Sequence, residues 1–347
     1  TGVKMSRPYG LLRAGYPYLT TLGMRRATNF PTDVAFGLNG ELYILMRAEG
    51  FTGIRIWSLD DMEELTDDLK TIGGYGRGDG QFVWPVNVIT NQNGDLFVSD
   101  EATNRISMFD KDGEFLGKFG EFGQLEGQLD APSGISFDKE GNILVVDSKN
   151  HRIQKFSPSG EYISSFGSFG VESGQFNLPW GIDVDEYGDI YVVDWGNNRI
   201  QIFSDDGNLK NVFGEFGTGD GQFDRPSGVA VDRHGDIYVS DWGNNRVLMF
   251  NSEAHYLWSF TGDATLSKIA RTYMLTNASP NRQRESARIE NERYIRRPRS
   301  VRIDEEFRLF ITDYESYRLQ VYKKDFIELD ESQISPPLRN PTLDTVG

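Results

Sequence analysis

The sequence predicts an all-β fold, a six-bladed β-propeller of four-stranded antiparallel blades with a helical insertion between blades 5 and 6. Three observations carry this. The stretches VVDWGNNRIQIF (192–203) and VSDWGNNRVLMF (239–250) are near-copies 47 residues apart. An Asp–Arg pair five residues apart recurs at Asp100/Arg105, Asp147/Arg152, Asp194/Arg199, Asp241/Arg246 and Asp313/Arg318. A proline stands fifteen residues before each Asp, at Pro85, Pro132, Pro179, Pro226 and Pro298, and Pro31 opens one further, worn unit. Self-similarity at a period of about 40–50 residues is the mark of a stacked repeat architecture.

The unit at 176–217 shows what each copy folds into. GIDVD, IYVVD, RIQIF and LKNVFG are short β-rich runs, separated by EYGD, WGNN and SDDGN. Gly, Asn and Asp supply the turn geometry between them. A four-stranded sheet of this size cannot bury both faces alone, so neighbouring copies must stack. Units start near residues 28, 82, 129, 176, 223 and 295, and the recurrent GxxxGQF segment reads as the crossover between blades. The whole chain, 1–347, reads as one propeller domain with an insertion at 262–297 and a C-terminal tail at 331–347. YPYLTTLG (16–23) resembles an outer strand and is expected to complete the last blade, closing the ring without a free edge. DFIELD (325–330) is the rival for that place.

PSGISFDKEGNILVVDSKNHRIQKF (132–156), PWGIDVDEYGDIYVVDWGNNRIQIF (179–203) and PSGVAVDRHGDIYVSDWGNNRVLMF (226–250) follow one pattern, and PVNVITNQNGDLFVSDEATNRISMF (85–109) is a worn copy. In these segments the chain resembles the NHL-repeat family of six-bladed propellers, bacterial type. The resemblance implies a fold and leaves several functions open, because such platforms serve many tasks. Some members resemble metal-dependent lyases or lactonases, and some animal NHL domains look built for RNA.

Composition narrows those options. The absence of cysteine excludes disulfides and thiolate chemistry. No apolar run reaches the ~18–20 residues of a membrane span, so any membrane contact is peripheral. A net charge of −16 disfavours nucleic acid and anionic lipid. The chain begins with Thr, which points weakly to a removed export signal and an extracytoplasmic location.

The Asp–Arg pairs read as structural staples, since a bidentate Arg–carboxylate bond would pin each hairpin. His151, His234 and His255 fall on two turns and an outer strand, a spread that does not suit the convergent ligands of a catalytic zinc. DKDGE (110–114) and SDDGN (204–208) resemble calcium loops but lack the full ligand set, so calcium stays an open, minor option and no cofactor is expected. Thr32, Val86, Ser133, Trp180, Ser227 and Arg299, each following a blade-opening proline, are expected at the rim of the central channel and share no chemistry.

Residues 264–299 run against the acidic background, with net +6 that leaves −22 on the rest. Leu266, Ile269, Ala270, Tyr273 and Met274 make one helical stripe, which predicts a helix at about 264–275 capped by Asp263 or Thr265. Leu266, Ile269 and Tyr273 are expected to face protein. Arg282, Arg284, Arg288, Arg293, Arg296, Arg297 and Arg299, with Trp180, Trp195 and Trp242, are the candidate partner contacts. The expectation is a non-catalytic interaction platform or accessory subunit. Its partner would be another protein or other copies of the chain.

Overall fold

The computed structural model describes residues 10–25, 27–48, 52–59, 71–277, 291–330 and 333. Six four-stranded antiparallel sheets form a ring. In each blade the strands are called a to d from the channel outward. Blade 4 shows the pattern: Ile182–Val184, Ile190–Asp194, Arg199–Phe203 and Leu209–Phe213, paired in sequence order. The a strands touch one another around the ring. In the other five blades the a strand begins at the blade-opening proline itself, at Pro31, Pro85, Pro132, Pro226 and Pro298. Proline suits this place because the first residue of a strand can do without a ladder donor.

Six hydrophobic clusters lie between the blades, one at each junction. Side chains alternate along a strand, so one strand feeds two clusters. Ile190 and Val192 pack toward blade 3, while Tyr191 and Val193 pack toward blade 5. This is why the b strands are continuous apolar runs rather than alternating ones. The crossover contributes Phe82, Leu129, Phe176 and Phe223, all fully buried. Deleting one such ring would cost about 3–5 kcal/mol.

Gly134 lies where blades meet most closely. A Cβ there would come within 2.6 Å of the Trp180 carbonyl oxygen, to which the Gly134 amide already donates at 2.8 Å.

Strand Tyr18–Leu22 pairs with Arg318–Lys323 and forms the outer strand of blade 6. Segment Asp325–Leu329 pairs instead with Gly10–Gly15 in a separate two-stranded ribbon. A buried charge cluster fixes that ribbon to blade 5: Lys324 meets Asp232 and, at 2.7 Å, Asp236, and Arg13 Nε donates to Asp236 at 2.7 Å.

The helix between blades 5 and 6 spans Lys268–Thr276, later than the sequence predicts. Its cap is Ser267, whose Oγ accepts from the Ala270 amide at 3.2 Å, and not Asp263 or Thr265. The preceding segment is held extended against the incoming chain: the Ile295 amide donates to Thr261 and the Ala264 amide to Arg293. Of the expected stripe, Ile269 is buried at the junction of blades 6 and 1. Leu266 lies outside the helix and Tyr273 is half-buried.

Candidate functional site

The b–c turns and the crossovers share one face of the ring. Asn150, Asn197 and Asn244, in the turns, donate through Nδ2 to the carbonyls of Gly123, Gly170 and Gly217, in the crossovers, at 2.8–2.9 Å. The next turn residue reaches the following blade. Asn104, Asn198 and Asn245 accept through Oδ1 from the amides of Ala131, Arg225 and Arg297. His151 does the same through Nδ1, which accepts from the Leu178 amide at 3.1 Å. That bond requires a neutral ring with its proton on Nε2, and burial lowers the His151 pKa. Each of these recipient residues has positive φ, +49° to +54°, immediately before a proline, a strained conformation held by the latch.

The Asp–Arg pairs anchor the same turns. Nε of Arg152, Arg199, Arg246 and Arg318 donates to Oδ2 of Asp147, Asp194, Asp241 and Asp313 at 2.7–2.9 Å. This is one bond, not the bidentate contact expected from sequence, because the other guanidinium nitrogens turn to crossover carbonyls. Arg199 reaches Val171, Glu172 and Gln175 at 2.7, 2.8 and 2.9 Å. Burial pushes the carboxyls of Asp147, Asp194 and Asp241 above their usual range, against the opposing pull of the donors around them.

Asp100 and Arg105 depart from the set. Four backbone amides, of Val83, Trp84, Ala102 and Thr103, occupy the Asp100 carboxylate. Arg105 bonds the carbonyls of Arg77, Gly78 and Gln81 instead, and its Nε is enclosed without a hydrogen-bond partner.

The rim residues have separate uses. Ser133 Oγ donates to the Trp180 carbonyl and Ser227 Oγ to the Pro298 carbonyl, both at 2.9 Å. Thr32 Oγ1 donates to the Leu45 carbonyl at 3.3 Å, and Val86 lines the channel. Trp180 and Trp195 line a cavity of about 440 Å³ with Trp84. Trp242 lies beneath three guanidiniums, Arg225 at 4.8 Å, Arg297 at 4.1 Å and Arg299 at 6.0 Å from its ring centre. Arg297 also pairs with Glu315 at 2.9 Å, Arg293 stacks on Tyr294, and Arg296 is exposed. Arg282, Arg284 and Arg288 lie outside the described residues.

The three histidines sit in different surroundings. His151 is a latch, His234 is buried between Lys324 and the stacked ring of Phe307, and His255 is exposed beside Glu253. Asp138, Glu140 and Asp205 converge on one point, but Lys155 Nζ pairs with Asp138 at 3.0 Å and Asp205 at 2.7 Å.

One feature of this face escapes the sequence reading. Tyr75, Phe122, Phe169 and Phe216 occupy equivalent places in four successive crossovers and are 67–70 % exposed. The signal was present, since the last three recur at the 47-residue period, each before a glycine.

The profile of the NHL repeat matches residues 129–156, 176–203 and 223–250. A 50-residue stretch is 40 % identical to protein lin-41 of Caenorhabditis elegans, covering 14 % of this chain and 4 % of that protein. Virginiamycin B lyase from Staphylococcus aureus has a similar fold, with a TM-score of 0.56 at 13 % identity over 89 % of this chain and 99 % of that one. A structural-genomics protein of unknown function from Bacteroides thetaiotaomicron gives 0.59 at 14 % identity over 90 % and 72 %. Identity this low carries the ring and not a reaction. The chain is thus a six-bladed β-propeller in which three successive blades carry NHL repeats.

Proposed function

We propose that the chain is a non-catalytic interaction platform, an accessory subunit or scaffold whose crossover face binds a protein partner. The arc of Tyr75, Phe122, Phe169 and Phe216 is the observation that carries this reading. Rings this far into water bury little surface, although Phe169 also touches the His151 ring, and aromatic residues are enriched where protein interfaces bury their cores. The periodic placement gives a partner several similar anchor points on a rigid ring. The net charge of −16 favours a partner with a basic contact rim, which would speed encounter more than it tightens the complex.

The test is the triple variant Phe122→Ser, Phe169→Ser and Phe216→Ser. These side chains are exposed, so each change should move stability by no more than about 0.5 kcal/mol. The reading expects the variant to stay folded and to drop out of the assembly that the wild-type chain forms in its native source. Unchanged assembly would remove the arc from the interface.

A further inference from the structure

The ring has a uniform side and a divergent side. At the position two after the blade-opening proline, blades 3, 4 and 5 carry Gly134, Gly181 and Gly228, whereas blades 6, 1 and 2 carry Ser300, Asp33 and Asn87. These three bond together: buried Asp33 accepts from Ser300 Oγ and from Asn87 Nδ2 at 2.6 Å. Arg302 adds two bonds to Asp33, at 3.0 and 2.8 Å. Directly above this clasp, at the crossover face, a cavity of about 670 Å³ opens. Its wall carries Arg299, Arg47, Trp84 and Tyr314.

The charges in this cavity do not balance. Arg47 Nη2 pairs with Glu101 at 2.9 Å, and the Arg47 guanidinium lies 3.6 Å from the centre of the Trp84 ring. Arg299 sits 4.8 Å from the centre of the Tyr314 ring. Among the described residues no carboxylate lies within 4.0 Å of Arg299, and its Nε is enclosed without a hydrogen-bond partner. One glutamate thus serves two arginines. Elsewhere on this face the repeat arginines have a carboxylate or backbone carbonyls waiting for them. A partly buried guanidinium that meets Tyr314 and, among the described residues, no carboxylate, in a chain of net −16, is a place suited to an anion.

Size and shape narrow the ligand. The space in the channel below is about 20 Å³, room for one water molecule, so a ligand stops at the mouth. The mouth has the volume of a small-molecule pocket. Trp84 is 52 % exposed, and its ring borders this cavity as well as the adjoining one lined by Trp180 and Trp195. A flat group can lie on the part of the ring that the Arg47 guanidinium leaves open.

We propose that the channel mouth between blades 6, 1 and 2 binds a small aromatic oxyanion, an aryl carboxylate or an aryl phosphate. Arg299 and Arg47 take the anionic end and Trp84 takes the ring. This site shares Tyr75 with the aromatic arc, but the arc is tested at Phe122, Phe169 and Phe216, which do not line the cavity, so the two readings fail independently.

Benzoate and phenyl phosphate are the probes, with benzyl alcohol as the neutral control, titrated into the intact chain by calorimetry and by quenching of tryptophan emission. The expected result is saturable binding of at least one anion, in the range of about 0.1–1 mM, weakened at least about tenfold by Arg299→Gln. The better-bound probe identifies the oxyanion. Trp84→Leu, at an exposed position, is the second variant: it should abolish the quenching and weaken binding whether or not the arginine variant folds. The proposal is overturned if neither anion binds by about 10 mM, if benzyl alcohol binds as well, or if binding survives both substitutions.

Discussion

Replacing Arg199 by alanine tests the most repeated contact in the molecule. Four hydrogen bonds go at once: one to Asp194 at 2.8 Å and three to crossover carbonyls at 2.7–2.9 Å. The Asp194 side chain is fully buried and keeps its donors from the Asn177 amide at 2.7 Å, Asn197 Nδ2 at 2.9 Å and Gln201 Nε2 at 3.2 Å. One charged hydrogen bond is worth about 1–3 kcal/mol, and removing one partner of a buried pair costs about 3–5 kcal/mol. The surviving donors shield part of the stranded charge, so about 3 kcal/mol is expected. Asp194→Asn should cost less, because it strands no charge and leaves the guanidinium its three carbonyls. Urea denaturation followed by tryptophan fluorescence gives the coupling energy from the double-mutant cycle of the two changes. Blade 2 supplies the control, since Arg105 makes no bond to Asp100. Coupling should be about 1–3 kcal/mol at 194/199 and well below that at 100/105. A loss under about 1 kcal/mol for Arg199→Ala, or equal coupling in the two blades, would refute the staple.

Two further predictions concern pH. Burial pushes the Asp183 carboxyl up to about 6, with Arg302 pulling the other way. Its folded pKa thus lies above the unfolded value of about 3.9, so this group destabilises the fold increasingly as pH rises from about 4 to about 6. Asp183→Asn should therefore be more stable than wild type above pH 6, by about 1–2 kcal/mol because the side chain is only half-buried, with the gap closing toward pH 4. A gap independent of pH contradicts this. His151 has the opposite sign. Its folded pKa is lowered, so wild type loses stability as pH falls through the unfolded value of about 6.5. His151→Asn keeps an acceptor for the Leu178 amide and should flatten the melting temperature between pH 7.5 and 5.5, and parallel slopes for the two proteins would discard the latch.

How much of this was readable in the sequence depends on whether a residue's role repeats. The blades were legible because Ile190–Val193 and its equivalents must feed two clusters each, which writes the same apolar run into every unit. The Asp–Arg spacing was legible for the same reason, but its geometry was not. The five-residue interval cannot show that crossover carbonyls 24–28 residues upstream claim the other nitrogens, or that backbone amides saturate Asp100. The helix start was misplaced because periodicity cannot see residues 261–264 pairing with 293–295 across the insertion. The channel mouth was hidden in a different way. Arg47, Trp84 and Arg299 come from three blades, two of them degenerate, and only ring closure brings them together. Arg299 was visible as a rim residue, but that no carboxylate among the described residues pairs with it is a fact of three dimensions.

The central claim is that the crossover face is where a partner binds. Hydrogen–deuterium exchange on the free chain and on its native assembly measures this most directly. The account predicts that added protection concentrates in the crossovers at 74–84, 121–131, 168–178 and 215–225. Protection confined to the opposite face, at the a–b turns 91–94, 138–141, 185–188 and 232–235, would contradict it.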